Sequence, residues 1–506
     1  MAAIVDTTDS VTEWSREWLA LWNATAHDPF LHPTWHRAFV ETAPAGLRPE
    51  LIGVRADGQL VALLPMRRDQ DRVLRFLTSP RSDYEDALFL PSHRDAALAC
   101  IADHLARERF DLAEMPEDSP LADVLRARGI TERPGSPCPG IRLTAETTHD
   151  VTHRKSVVRH ERKLARRGAL TLERVKPGKA DAALEAMFDQ HIARRLAAGD
   201  ESLFLEDNSR EFYKRLVASA DFADFGCFDV LKAGDRDVAY HFGLYGAATF
   251  IWYKPTFDMN LQHEGPGEVL FKVLVEHASA TGRSYFDFSR GDEPFKLRFA
   301  NVQRRNRRLR HRLPISHAVA RRIRAEAQQL RGKVARSWAR LVPASPAPQS
   351  EPTAVHVAPS ASLALPAQFA FEFAPLDLIA FAKLRSVRPD YVTPERMRLA
   401  VERARGGDCL LIVRDALRGA PVHFAWLRTE DGATAPPGDA QDRPTGAGRR
   451  RVVYEQWTAP EAHGRDVGLW AVRYLASHGE KEGLSVWVQA RDSDPAAAVK
   501  NAAVVA

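Results

Sequence analysis

One segment, Leu261 to Asn301, limits what the rest of the chain can fold into. It opens with a tight turn, His263-Glu264-Gly265-Pro266-Gly267. It continues into an apolar stretch where Val269, Leu270, Val273, Leu274 and His277 recur at helical spacing. Thr281-Gly282-Arg283 closes that helix, with glycine where helices commonly stop. Tyr285-Phe286-Asp287-Phe288 then reads as a short buried strand, and Ser289-Arg290-Gly291-Asp292 as a polar turn at its end. Strand, glycine-rich turn, helix and strand place the backbone N–H groups of a helix N-terminus at one end of a sheet, where they can bind a phosphate.

At 506 residues the chain is too long for one core, and two to four domains are expected. Its 4 cysteines, Cys100, Cys138, Cys227 and Cys409, are scattered and form no CxxC pair. That argues against a zinc site or a disulfide framework, so no metal is expected, and it fits a reducing cytoplasm. The N-terminus has no basic region followed by an apolar core. No apolar run approaches the roughly 20 residues that span a bilayer. A cytoplasmic protein without a membrane span is the expectation. The net charge of +5 is mild but unevenly placed.

The first 145 residues read as an α+β unit. An amphipathic helix covers 11–22, and a second begins at Trp35. Leu51 to Arg55 and Leu60 to Pro65 form a hairpin about an Asp57-Gly58 turn. Short strands at Val73–Leu77 and Ala87–Leu90, a helix at Asp95–Arg107 and a strand at Asp111–Ala113 complete it. Between His153 and Arg167 seven Lys or Arg residues stand against one Glu. Such a helix is either a solvated face or a surface that meets an anion. A strand (170–175), helices at 183–196 and 210–220, and strands at 225–231, 237–244 and 248–257 lead into the opening segment. After Asn301 the run Arg304 to Arg312 and a basic helix from about Ala318 to Ala339 follow. Nucleic-acid contact calls for basic residues interleaved with aromatics, and this run has none before Trp338, so it is not expected here. Residues 341–367 are rich in Pro, Ala and Ser and read as a linker. Residues 368–506 read as a third unit: helices near 377–387 and 394–405, a hairpin at 409–427, a low-complexity insert at 430–448, a strand at 452–457, a helix at 469–477 and a last strand at 484–488.

The order of elements over 170–312 resembles the GNAT acyltransferase fold. The local motifs resemble its CelD-like (cellulose-biosynthesis-associated) acetyltransferase branch. The residues carrying this are the basic helix Arg154–Gly168, the Gly265-Pro266-Gly267 turn and the string from Phe286 to Phe299. Pro29-Phe30 through Trp35 and Asp83-Tyr84-Glu85-Asp86 extend the resemblance into the first half, to roughly residues 10–312. It implies tandem GNAT-like halves, similar to the Fem-type aminoacyltransferases. The resulting expectation is an N-terminal GNAT-like domain (1–145) without its own cofactor site and a CelD-like acetyltransferase domain with a basic tail (146–340). Glu455, the turn Gly464–Gly468 and Asn501 make the third unit similar to a degenerate GNAT module, lacking the strand pair that usually completes the sheet.

For such a chain the resemblance implies an acyl-CoA-dependent N- or O-acyltransferase. Its donor would be acetyl-CoA or another acyl-CoA. Its acceptor would be a small amine or hydroxyl compound, such as a sugar or polysaccharide precursor. Glu264, Gly265, Gly267, Glu268 and Val269 would hold the pyrophosphate, chiefly through backbone N–H groups, although Pro266 interrupts the run of donors. Proton-transfer candidates lie near the strand ends. Tyr240 and His241 are on one strand, and Tyr253, Lys254 and Asp258 on the next. A histidine or tyrosine in an apolar strand is equally a packing residue, and both readings stand. Asp292 and Lys296, four apart, would share a helical face as an ion pair or an acid/base pair. Two other readings remain open: a Fem-type transferase whose basic segments bind aminoacyl-tRNA, and a non-catalytic scaffold in polysaccharide biosynthesis. GxSxG, P-loop, HExxH and Rossmann signatures are missing from the sequence.

Overall fold

The computed structural model describes residues 3–25, 28–198, 200–313, 354–357, 366–430, 450–463, 465–482 and 484–489. The chain divides into two compact units, residues 1–194 with 206–332, and residues 195–205 with 333–506.

The first unit runs β1 (Ile4–Thr8), α1 (Ser15–Asn23), α2 (Pro33–Thr42), β2 (Pro49–Ala56), β3 (Gln59–Arg68), β4 (Leu74–Phe76), β5 (Leu88–Phe89), α3 (Arg94–Leu105), β6 (Phe110–Met115), α4 (Pro120–Ala127) and β7 (Thr131–Arg142). It continues through α5 (Ala145–Thr152), α6 (Lys155–Leu164), β8 (Leu170–Arg174), α7 (Ala180–Ala197), α8 (Asp207–Ala218), α9 (Phe222–Phe225), β9 (Gly226–Ala233), β10 (Arg236–Tyr245), β11 (Thr249–Phe257), α10 (Pro266–Ala280), β12 (Tyr285–Asp287), α11 (Pro294–Phe299) and β13 (Val302–His311). Its strands form one mixed sheet in the order β1-β2-β3-β4-β6-β13-β7-β12-β11-β10-β9-β8, with β5 on β3.

Position 145 is therefore not a boundary between two sheets. β13, the last strand of the second half, is inserted between β6 and β7 of the first. Leu309 of β13 joins the core of the first half, with Phe110, Leu112 and Leu125. Ile141 of β7 joins the core of the second, with Phe250, Phe271 and Phe286. Each half thus completes the other's apolar core, at about 1.5–3 kcal/mol per buried large side chain.

The arginine run of β13 is ion-paired within the sheet. Arg308 donates two hydrogen bonds to Asp111, both 2.6 Å, and Arg310 Nε a third at 3.1 Å. Arg307 holds Glu132 at 2.9 Å and Asp123 at 2.8 Å. β7 was missed in the sequence because Pro134, Pro137 and Pro139 read as loop. Its prolines are accommodated because β12 pairs only with residues 140–142. Beyond β12, the carbonyls of Pro139 and Pro137 accept from the N–H groups of Phe288 and Gly291 at 3.1 and 2.9 Å, where no strand asks the prolines for a donor.

The second unit contains β14 (Ala354–Val357), β15 (Phe369–Pro375), α12 (Leu378–Lys383), α13 (Pro394–Arg405), β16 (Cys409–Asp415), β17 (Pro421–Glu430), β18 (Arg450–Thr458), α14 (Val467–Lys481) and β19 (Ser485–Gln489). Its sheet order is β14-β19-β18-β17-β16-β15. Residues 354–357, inside the expected linker, supply the sixth strand, antiparallel to β19. β18 and β19 are parallel over four residue pairs, from Arg450↔Ser485 to Val453↔Val488, beyond which β18 continues to Thr458 paired with β17 alone. The expected basic tail helix, the rest of the linker, residues 431–448 of the insert, Gly464 and Asn501 lie outside the described residues.

Two carboxyl groups make the first unit's stability testable. Asp111 is 5% exposed. Burial pushes its pKa up, but the Arg308 and Arg310 bonds prevail and hold it below the usual range. Its contribution is present above the unfolded pKa of about 4 and fades as pH falls below it. Asp111→Asn should cost about 1–3 kcal/mol in urea denaturation at pH 7. Asp86 behaves oppositely. Burial raises its pKa to about 7, against the hydrogen bonds from Ala87 N–H and Ser119. Its ionisation therefore destabilises the fold as pH rises from about 4 to about 7, by at most about 4 kcal/mol. Asp86→Asn should melt at least about 3 °C above the wild type at pH 8 and level with it at pH 4, as read by calorimetry.

Candidate functional site

β11 and β12 run parallel for three residue pairs, Thr249↔Tyr285, Phe250↔Phe286 and Ile251↔Asp287, and then part. β11 continues to Phe257, while the chain after Asp287 turns through Ser289 and Gly291, both at positive φ. On its other side β11 pairs Leu244↔Ile251 and then Phe242↔Lys254, so a bulge sits at Trp252-Tyr253. The bulge re-aims the strand where it leaves its neighbour. The Tyr253 ring packs on Phe30 and Trp35 of the first half, with centroids at 5.4 and 5.8 Å. Lys254 Nζ lies 3.7 Å from the centre of that ring. Two diverging strands leave backbone donors and acceptors without strand partners along the cleft between them.

The floor of this cleft is a polar network built from both halves. Asp287 Oδ1 accepts from Tyr84 Oη at 2.8 Å and from Ser289 N–H at 2.7 Å. Arg304 Nη2 lies 2.6 Å from Asp287 Oδ2. Asp83 binds Arg290 Nε at 2.6 Å and accepts from Ser289 Oγ. Asn306 Nδ2 donates to the Asp83 carbonyl at 3.0 Å and to Glu114 at 2.9 Å. Asp83 and Asp287 are 5% and 2% exposed. Their environments push them apart. Burial raises Asp287 above the carboxylate range, and Arg304 does not offset it. Burial also works on Asp83, but Lys254, Arg290 and Ser289 together hold it below that range.

The structure brings Tyr253 and Lys296 to this network. Tyr253 Oη donates to the Arg81 carbonyl at 2.6 Å and accepts from Tyr213 Oη at 3.2 Å. Burial raises its pKa well above 10, so the phenol stays protonated. Lys296 donates to the Arg290 carbonyl and pairs with Glu293 at 2.9 Å.

The other candidates lie elsewhere. His241 is fully buried on the opposite face of β10 from Phe242, among Phe250, Trp252 and α10. Its Nδ1 is 3.8 Å from Asp229, and burial lowers its pKa despite that carboxylate. It is a core residue, not a base in the cleft. Asp292 is exposed and precedes α11, which begins at Pro294, so it shares no helical face with Lys296. Tyr240 donates to Asp237 at 2.9 Å, and Asp258 caps the turn after β11 and pairs with Arg236. Arg81, Glu114, Arg304 and Asn306 were not anticipated. They stand 17 to 223 positions from their partners, and no local pattern marks them.

At the turn, Gly265 caps α10 in the left-handed conformation at φ 65°. A Cβ there would lie 2.4 Å from the His160 ring, so glycine lets α6 close over the turn. A Cβ on Gly267 would sit 3.0 Å from Phe257. Val269 is core. Glu264 is held by Arg167, and Glu268 by Arg298 and by His160 Nδ1 at 3.0 Å, so their carboxylates are neutralised rather than aimed at a phosphate. Lys163 Nζ donates to the His263 carbonyl at 2.8 Å. What remains of the α6 charge faces an open groove of about 700 Å³, lined by His153, Lys155, Arg159, Arg162, Arg166 and His263. Among the described residues, Lys155, Arg159, Arg162 and Arg166 have no carboxylate within 4 Å.

Residues 152–297 match the family model of the Acetyltransferase (GNAT) domain. Among solved structures the chain is similar to FemX, at 10% identity over 61% of this chain and 97% of that one, with a TM-score of 0.43. It is similar to L-PGS from Bacillus licheniformis, at 12% identity over 61% and 95%, with a TM-score of 0.42. It is also similar to a tandem GNAT protein from the clavulanic acid biosynthesis pathway, at 12% identity over 62% and 99%, with a TM-score of 0.35. No curated relative matches by sequence. No helix among the described residues is long and apolar enough to cross a membrane. The family match covers residues 152–297 alone, a stretch that holds the bulged and diverging strands and lies within a larger mixed α+β sheet.

Proposed function

We propose that the first unit transfers an acyl group from acetyl-CoA or another acyl-CoA to the amine or hydroxyl of a small acceptor such as a sugar or polysaccharide precursor. The observation that supports this reading best is the divergence of β11 from β12 beyond Ile251 and Asp287. A flat pantetheine arm carries two amides, and the cleft offers it the edge of β11 as a strand would. At the α10 N-terminus the N–H of Gly267 suits the pyrophosphate, whereas those of Gly265, Glu268 and Val269 already donate to the carbonyls of Gln262 and Gly265, and the α6 cations suit the remaining phosphate. The Glu264 and Glu268 carboxylates do not oppose this, because Arg167, Arg298 and His160 neutralise them.

The donor supplies an activated thioester, so the protein has little covalent work to do. The acceptor nitrogen or oxygen bonds to the carbonyl carbon, the carbon–sulfur bond breaks, and the acceptor loses one proton while the thiolate gains one. Tyr253, protonated beside the cleft, would donate to the departing sulfur by giving up its bond to the Arg81 carbonyl. Lys296 and Ser289 fix Arg290 and Asp83, which shape the acceptor side.

A second reading is favoured by the α6 groove. Its unpaired cations also suit the acceptor end of an aminoacyl-tRNA as donor. Calorimetric titration of acetyl-CoA and CoA decides between them. Gly267→Glu and Arg162→Glu should each weaken CoA binding at least ~10-fold, since each puts an anion against a phosphate. No heat from a well-folded wild type, together with a salt-sensitive shift of tRNA, would transfer the role of donor to tRNA.

A further inference from the structure

On the acceptor side of the cleft the charges do not balance. Three cations, Arg290, Lys296 and Arg81, act on a fourth, Lys254, whose ammonium lies over the Tyr253 ring. Arg290 is satisfied by Asp83 at 2.6 Å and the Pro80 carbonyl at 3.0 Å, and Lys296 by Glu293. Arg81 spends Nη2 on Ser209 Oγ at 3.1 Å and lays its plane over the Phe212 ring at 4.8 Å. Its Nη1 is buried without an acceptor. Lys254 has its Nζ on the Tyr253 ring and no carboxylate within 4 Å among the described residues. Burial and the neighbouring cations lower its pKa to about 8, although Asp83 opposes them. A buried guanidinium N–H without a partner is costly, and a desolvated ammonium is more so. Other groups nearby cannot relieve this. Asp83 is committed to Arg290 and Ser289, and Glu114 to Ser136, Asn306 and, at 3.8 Å, Arg290. The cluster opens outward along Arg290 and Lys296, whose side chains are 25% and 12% exposed.

We propose that Arg81 and Lys254 form an oxyanion subsite, so that the acceptor is an amine carrying a carboxylate or phosphate group rather than a neutral or purely cationic amine. The proposal rests on the acyl-transfer reading and narrows it. An oxyanion between these two side chains supplies the acceptor that Arg81 Nη1 lacks and the directly paired anion that Lys254 lacks, since Asp83 acts on Lys254 only from beyond 4 Å. It also anchors the acceptor beside the cleft where the thioester carbonyl would lie, so recognition and positioning are one interaction.

Acceptor selectivity tests it. With acetyl-CoA as donor and thiol release as readout, glycine is compared with glycinamide, and glucosamine 6-phosphate with glucosamine. At least one anionic member should exceed its neutral counterpart at least ~10-fold in kcat/KM, mainly through KM. Glycine favoured identifies a carboxylate, and glucosamine 6-phosphate a phosphate. In Lys254→Met, which keeps the length and removes the charge, that ratio should fall below about 3, whereas Lys254→Arg should retain it. Equal rates within both pairs, or a ratio that Lys254→Met leaves unchanged, overturns the subsite while acyl transfer stands. If no compound is acylated, inorganic phosphate and acetate are titrated calorimetrically into an Arg159→Glu, Arg162→Glu protein, in which the α6 groove is disabled. Heat that Lys254→Met abolishes upholds the subsite without the donor reading. No heat overturns it.

Discussion

The hydrogen bonds on Asp287 hold the first unit together at its most consequential point. Tyr84 comes from the first half, Arg304 from the inserted strand β13, and Ser289 from the turn that ends β12. One buried carboxylate thereby fixes three segments far apart in sequence. Taking it out of water is costly and is compensated only when every lone pair finds a donor. That requirement explains why β13 is threaded between β6 and β7 rather than added at an edge. At an edge Arg304 would lie in solvent and Asp287 would lose its counter-charge. The same threading lets Arg307, Arg308 and Arg310 neutralise Asp123, Glu132 and Asp111. A sequence run that looks like a basic stripe is therefore a seam between two acidic surfaces.

What the sequence revealed and what it hid divide along contact distance. The Asp57-Gly58 hairpin, the helix after Gly265-Pro266-Gly267 and the strands from β8 to β11 follow from local periodicity and turn chemistry, and they fold as read. β7 was hidden because proline demotes a strand wherever a ladder needs its N–H. Here the neighbouring strand has already ended. His241 stays open in the sequence between base and packing residue, because alternation tells which residues share a face, not which face a helix covers. Asp292 was misread although its signal was present. Pro294 occupies the first turn of α11, the position where proline is best tolerated, so the helix begins after Asp292 rather than through it. The acceptor network could not be read at all, since Asp83 meets Ser289 and Arg290 across more than 200 residues and no local pattern encodes that meeting.

The basic helix α6 shows how one charged segment can serve two ends. Its inward side is structural. His160 closes over Gly265 and meets Glu268, Glu161 accepts from Lys272 at 2.6 Å, and Arg167, just past its end, holds Glu264. These contacts seat α6 against the N-terminus of α10 and cancel the acidic residues that would otherwise repel a phosphate there. Its outward side is unpaired and lines the groove. Were the whole helix merely a solvated face, the neutralised side would not be needed. Were it wholly structural, the outward cations would carry a cost in mutual repulsion with nothing to offset it. The division of charge across its two faces is what an anion-binding surface requires: one set of cations to remove competing carboxylates, and a second left free for the ligand.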